Sequence, residues 1–219
     1  MIKVKNLVKK YQSGDSELSV LKDVSFDVKS GELLAITGRS GSGKSTLLYQ
    51  LGLLDHPTSG DIHIGDIDTD QLSPDERTNF RLKELGYVFQ DYALIPELTA
   101  IENVALPLIM QGQKTSEANT KAARVLDKVG LKERLHYLPS KLSGGEQQRV
   151  SIARAIGHNP KIIFADEPTA NLDSETAKTV LNIFLELHKE GQTIIMVTHE
   201  PEYATLADRV LTLSDGKIL

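Results

Sequence analysis

The sequence predicts an α/β protein: a parallel-sheet core, an N-terminal antiparallel β subdomain ahead of it, and an α-helical subdomain inserted in its middle. Three observations carry this prediction. Residues 2–8 and 20–28 alternate apolar and polar positions, as half-buried antiparallel strands do. Two apolar, β-branched runs, 161–165 and 193–198, flank the helical segment 174–189, the arrangement of a βαβ unit, which joins parallel strands. Between these regions, from about residue 94 to 157, apolar residues recur at helical spacing and nothing strand-like interrupts them.

The elements follow in order. Ile2, Val4 and Leu7/Val8 share a strand face, and Leu21, Val24, Phe26 and Val28 share another, which makes the first fifth of the chain a hairpin or small sheet. Leu33-Leu34-Ala35-Ile36 is a short buried strand that runs through a Gly-rich turn into a helix over 45–54. Ser73 is placed as an N-cap, with Pro74 at the first helical position and Glu76 completing a capping box. Gly86 is expected to close that helix, and Tyr87-Val88-Phe89 to form a brief strand. In the helical region Ala118, Ala122, Val125/Leu126 and Val129 line one face, and 111–119 reads as a polar connection. A last strand, 209–213, precedes an Asp215-Gly216 turn.

With 219 residues the chain suits one domain, 1–219, carrying the inserted helical subdomain at roughly 94–157, better than two independent domains. Thirty acidic against 25 basic residues give a net charge of −5, so no uniformly basic face for nucleic acid is expected. The absence of cysteine removes disulfides, thiol nucleophiles and Cys-based zinc sites, and fits a reducing compartment. Apolar runs are strand-length, and the first residues alternate apolar with charged instead of opening a signal peptide, so a membrane role would come through a partner.

Gly38-Arg39-Ser40-Gly41-Ser42-Gly43-Lys44-Ser45 matches GxxxxGK[ST], and it lies between a buried strand and a helix, as that motif requires. Glycines let successive N–H groups turn toward one phosphate chain, and the following helix adds its unpaired N-terminal donors. Lys44 can reach the β- and γ-phosphates, and the Ser45 hydroxyl can ligate Mg²⁺. At the C-terminal end of the strand 161–165 stand Asp166, suited to hold Mg²⁺ through its water shell, and Glu167, suited to orient and deprotonate an attacking water. Gln90 offers an amide oxygen to metal and water, and His199, closing the strand 193–198, can donate to the γ-phosphate. A second anion receptor is the helix 146–156, capped by Ser143 and opened by Gly144 and Gly145, although it has neither lysine nor metal ligand of its own.

Taken in order, the phosphate loop, Gln90, Leu142-Ser143-Gly144-Gly145-Glu146, Asp166-Glu167, Ala170-Asn171-Leu172-Asp173 and His199 resemble the ATPase domain of the ATP-binding-cassette (ABC) family, across essentially the whole chain. The resemblance implies a P-loop NTPase core that binds ATP with Mg²⁺ and hydrolyses it. It also implies head-to-tail association, each ATP lying between one chain's phosphate loop and the other chain's Ser143–Glu146, as a homodimer or a paired cassette. By the same likeness Tyr11 stacks on adenine, Thr46 joins residues 38–45 around the nucleotide, and Asp173 links the two sites across the dimer. Glu146 departs from the commonest form of the family signature, which has Gln; a carboxylate near nucleotide would weaken a polar contact there.

The short single-domain form, the segment 53–60 and the loop 170–173 look most like the lipoprotein-release, macrolide-export and cell-division group of that family. The implied role is the motor subunit of a membrane transporter, held at the cytoplasmic face of the membrane by an integral membrane subunit. The segment after Gln90, with Tyr92, Leu94, Ile95, Pro96 and Leu98, would form the groove for that subunit, although burial within the helical lobe explains these residues equally well. No nucleic-acid partner is expected. Alternatives are a cell-division ATPase that signals through a membrane partner without transport, and a soluble, non-transport member of the superfamily. A P-loop kinase would leave 142–146 unexplained.

Overall fold

The computed structural model describes residues 1–14 and 16–219. The N-terminal alternation forms β1 (Ile2–Ser13) and β2 (Ser16–Val28), an antiparallel pair with Ile2 opposite Val28 and Tyr11 opposite Leu18. Both strands run longer than the hydrophobic alternation suggests. After Val8 the sequence turns polar, yet register shifts between Val4 and Lys10 keep the ladder going and turn Lys9 inward, leaving it 8% exposed.

β3 (Leu33–Thr37) is buried from Leu33 to Ile36 and feeds the Gly-rich loop and α1 (Lys44–Leu51). The helix stops three residues before its expected end, because Gly52 caps it and Leu53 takes a left-handed φ of 61°. β4 (Ser59–Ile64) pairs antiparallel with β1, Ile2 opposite Ile64, and β5 (Ile67–Asp68) extends the sheet to the order β2-β1-β4-β5. α2 (Pro74–Glu84) has the expected capping box: Glu76 Oε2 accepts the Ser73 N–H at 2.9 Å and Ser73 Oγ accepts the Glu76 N–H at 3.4 Å.

Gly86 does not close α2. The helix passes directly into β6 (Leu85–Val88), one to two residues earlier than the strand expected from the sequence, and Gly86 lies inside it. A Cβ there would stand 2.4 Å from the Ala155 carbonyl oxygen, so the glycine serves a close backbone approach and not a cap. α3 (Ala100–Met110) follows, opened by a Thr99–Glu102 capping box, then α4 (Thr115–Lys128). The polar connection expected over 111–119 is therefore too long, since Thr115 already opens α4. Its buried stripe, Ala118, Ala122 and Leu126, starts with small alanines that give little hydrophobic signal. α5 (Gly144–Ile156), β7 (Ile162–Asp166) and α6 (Ser174–Lys189) complete this part, with β6 and β7 parallel, Leu85 opposite Ile162 and Val88 opposite Ala165.

The chain returns through β8 (Thr193–Val197), α7 (Pro201–Ala204), β9 (Arg209–Ser214) and β10 (Lys217–Ile218). β8 and β9 both pair parallel with β3, Leu33 opposite Ile194 and Leu34 opposite Arg209, and β10 folds back antiparallel on β9. The Asp215-Gly216 turn has φ of 47° and 80°, the positive pair that a tight hairpin turn needs. Two compact units result: Met1–Arg81 with Gly191–Leu219, and Leu82–Glu190. Among the described residues no helix is long and apolar enough to cross a membrane.

Candidate active site

In the first unit the phosphate loop is shaped by glycines at 38, 41 and 43, with φ of 145°, 76° and 102°. At Gly38 a Cβ would fall 2.2 Å from the Leu213 carbonyl oxygen, so the loop can lie on β9 only without a side chain there. Ser42 N–H donates to Arg39 O at 3.1 Å, closing a turn, and Lys44, 7% exposed, folds back to donate to Arg39 O at 3.1 Å. Gly43 as N-cap offers α1 no side-chain acceptor, and no acidic residue occupies its first turn. The positive end of α1, with Ser45 and Thr46 half-buried beside it, is thus left for an anion supplied from outside.

Tyr11, 39% exposed, lies on β1, and its hydroxyl donates to Asp55 Oδ2 at 2.8 Å while also engaging the Thr46 side chain of α1. Burial, then the hydrogen bond to Asp55, pushes the phenol up to about 12. Burial would also raise Asp55, but hydrogen bonds from Lys9, Tyr11 and the His56 N–H outweigh it and hold the carboxyl at about 2. His199 follows β8 and lines one cleft with Gly38, Arg39 and Ser40. Its Nε2 lies 3.2 Å from Glu200 Oε1.

In the second unit Asp166 ends β7 and is 6% exposed. Glu167 is half-buried and takes φ 44°, a left-handed conformation disfavoured for a residue with a Cβ and doubly so before Pro168. Such strain persists where the surroundings impose it. Gln90 is exposed, and its carbonyl accepts from Asn171 Nδ2 at 3.2 Å, tying it to the loop 170–173. Asp173 caps α6, accepting the N–H groups of Glu175 and Thr176, each at 3.1 Å. The Thr176 hydrogen bonds hold its carboxyl below the ordinary range.

Ser143 caps α5 in a full capping box with Glu146. The Ser143 and Glu146 N–H groups are consumed in that box, leaving Gly144 and Gly145 N–H as first-turn donors with no intrahelical acceptor. Glu146 Oε1 accepts from Arg134 Nε at 2.9 Å, so the Glu146 carboxylate is engaged inside the chain. The glycines are also packed: a Cβ on Gly144 would lie 2.8 Å from Tyr92 Oη, and one on Gly145 would lie 2.1 Å from Thr176 Cγ2.

Several supporting residues escaped the sequence reading. Lys9 and Asp55 flank Tyr11 from 46 positions apart, and nothing in either stretch announces the pairing. Arg154 donates to the Tyr92 and Ala93 carbonyls at 3.0 and 2.5 Å, and Asn103 binds both the N–H and the carbonyl of Ile95, so side chains of α5 and α3 clamp the segment after Gln90. Asn103 is fully buried, a single amide on the apolar face of α3, and the sequence offers only its place among Ile101, Val104 and Ala105 as a signal. Ile95 and Pro96 are exposed, and Tyr92, Leu94 and Leu98 half-buried, so this segment is not absorbed into the core.

The family model described as ABC transporter matches residues 21–170. The macrolide export ATP-binding/permease protein MacB of Bartonella henselae is 46% identical over 99% of this chain, which spans only 33% of that relative. The lipoprotein-releasing system ATP-binding protein LolD of Legionella pneumophila is 47% identical, over 97% of this chain and 94% of the relative. The dimeric, post-hydrolysis structure of the ATP-binding cassette MJ0796 bound to ADP and Pi superposes with a TM-score of 0.93 at 42% identity, covering 100% of this chain and 96% of that one.

Proposed function

Because this chain belongs to the ABC transporter family, we propose that it binds and hydrolyses ATP as the motor subunit of a membrane transporter, two copies closing head to tail around the nucleotide. The observation that carries this reading is that the Gly144 and Gly145 N–H groups open α5 without an intrahelical acceptor or a lysine among residues 142–146, in a chain that also has a complete phosphate loop with its own lysine. In this reading a facing copy brings its Gly144 and Gly145 amides to the γ-phosphate of a nucleotide seated on the phosphate loop. The ATP-binding cassette MJ0796, dimeric and bound to ADP and Pi, supports a dimer that holds nucleotide.

In this reading residues 38–46 cradle the phosphates, Lys44 neutralises the β- and γ-phosphates, and Tyr11 stacks on the base. Glu167 orients the attacking water and takes its proton, His199 donates to the γ-phosphate, and Asp173 joins the two sites across the dimer. Mg²⁺ would be held by Ser45, Asp166 and Gln90, whose hydroxyl, carboxylate and amide oxygens are each hard donors of the kind it takes. Among the described residues no three His, Asp or Glu cluster, and Mg²⁺ held beside nucleotide needs only one or two carboxylates. When bound, Mg²⁺ neutralises charge on the phosphate oxygens.

Loss of the γ-phosphate removes the contacts to the partner's Ser143–Gly145, the difference between states that a switch requires. Residues 94–157 act as the inserted subdomain, and the exposed Ile95 and Pro96, with Tyr92, Leu94 and Leu98, receive an integral membrane subunit at the cytoplasmic face. The export and lipoprotein-release roles in the names of MacB and LolD support such a partner.

The test is Glu167→Gln. It is expected to bind ATP, to hydrolyse it at least ~100-fold more slowly, and to elute as a dimer in ATP. Hydrolysis at the wild-type rate would remove Glu167 from the mechanism, and a strictly monomeric protein with a specific rate independent of concentration would remove the dimer.

A further inference from the structure

Lys9, Tyr11 and Asp55 form a closed set around one aromatic ring. Lys9 Nζ stands 4.7 Å from the Tyr11 ring centroid and 2.9 Å from Asp55, and donates to the His56 carbonyl at 2.7 Å. Tyr11 Oη donates to Asp55 Oδ2 at 2.8 Å, and the His56 N–H donates to Oδ1 at 2.7 Å. Lys9 is nearly buried, at 8% exposure, while Tyr11, whose ring it supports, is 39% exposed. A buried cation is tolerated only with such partners, and these leave the tyrosine anchored at its tip and covered on one side.

An unanchored tyrosine on a strand turns about two side-chain torsions, and a base that stacks on it must stop that motion. Here the hydrogen bond to Asp55 and the Lys9 ammonium against the ring restrain that motion within the chain itself. The cation also draws electron density toward the inner face, which makes the outer face a better seat for an electron-rich purine.

We propose that Lys9 and Asp55 are positioning residues for nucleotide recognition: they hold the Tyr11 ring in the tilt in which a purine base stacks, so that base affinity belongs to the three residues together. The proposal rests on the reading of Tyr11 as the base-stacking residue. It also limits what the site can read, because the one hydrogen bond the phenol can donate goes to Asp55 and not to the base edge.

The experiment is calorimetric titration of the full chain with ATP and, separately, with inorganic triphosphate, which has phosphates and no base. The variants are Tyr11→Phe, Asp55→Asn, the double variant and Tyr11→Ala. Tyr11→Phe and Asp55→Asn are each expected to weaken ATP by about three- to ten-fold, the ordering cost of one side chain, with triphosphate binding unchanged. The double variant is expected to lose less than the sum of the two singles, since the Tyr11–Asp55 hydrogen bond is shared between them, while Tyr11→Phe also gives up the Thr46 contact and Asp55→Asn the Lys9 ion pair. Equal loss for both ligands would make the triad a staple of the fold and overturn the proposal. Wild-type ATP affinity in Tyr11→Phe and Asp55→Asn, with a loss in Tyr11→Ala, would overturn it while keeping the stacking role. Unchanged ATP affinity in Tyr11→Ala would remove the stacking role itself. Should Asp55→Asn fail to fold, Tyr11→Phe alone decides.

Discussion

Glu146 is held from two sides: Arg134 Nε donates to Oε1 at 2.9 Å and the Ser143 N–H donates to Oε2 at 2.9 Å. The Ser143 hydrogen bond, ahead of opposing burial and then the Arg134 contact, keeps its carboxyl below the ordinary range. A folded-state value lowered in this way stabilises above the unfolded value and is lost as pH falls through the folded one. Glutamine keeps an acceptor for Ser143 and loses the charge at the helix N-terminus. Glu146→Gln is therefore expected to lose about 0.5 kcal/mol of unfolding free energy in urea melts and to keep ATP turnover within about two-fold. Glu146→Ala, which removes the acceptor, should lose about 1 kcal/mol.

Gly145 meets α6 at Thr176 Cγ2, and a methyl group there has to displace it. Gly145→Ala is expected to lower stability by roughly 1–3 kcal/mol in thermal melts. Thr176→Ser deletes the offending Cγ2 and keeps the hydroxyl, so the double variant should recover most of that loss. No recovery would show that the cost lies in the backbone of α5 and not in the contact.

Tyr92 and Ala93 both take left-handed φ, 59° and 49°, and Arg154 holds their carbonyls. Glycine is at ease there. Ala93→Gly is expected to raise unfolding free energy by about 0.5 kcal/mol, the strain relieved less the added freedom of the unfolded chain. Arg154→Met should lower it by about 2 kcal/mol and speed amide exchange in the segment after Gln90, as read by hydrogen exchange.

The Asp55 carboxyl lies at about 2 when folded against an ordinary 3.8, so its contribution is present above about pH 4 and lost as pH falls toward 2. Tyr11, at about 12 against 10.0, contributes below about pH 10 and loses that contribution as pH rises toward 12. Because both groups are about a third exposed, solvent screening reduces the effect. The stability gap between wild type and Asp55→Asn in urea is expected to narrow by about 0.5 kcal/mol between about pH 6 and about pH 3. A constant gap would mean the ion pair adds nothing.

The parts of the molecule that could be read in advance are those whose chemistry is contiguous. The phosphate loop announces itself because backbone amides make it, and glycine stands where φ is 145°, 76° and 102°. The caps at Ser73 and Ser143 are equally local, three residues from their partners. The Lys9–Asp55 pair was invisible because register shifts in β1 decide which way Lys9 points, and hydrophobic alternation does not report them. Gly86 misled for a related reason: a glycine after a helical stretch reads as a cap, whereas this one answers to a helix some seventy positions away. α4 began early because alanine and polar residues can share a narrow buried stripe.

That near-contact of Gly86 with Ala155 has a mechanical meaning. With no side chain as a cushion, the strand leading to Gln90 and the helix that starts at the Gly144-Gly145 amides are welded backbone to backbone. Any side chain at position 86 would have to push the Ala155 carbonyl away, so the spacing between this strand and α5 is set by backbone contact and not by a layer of side chains.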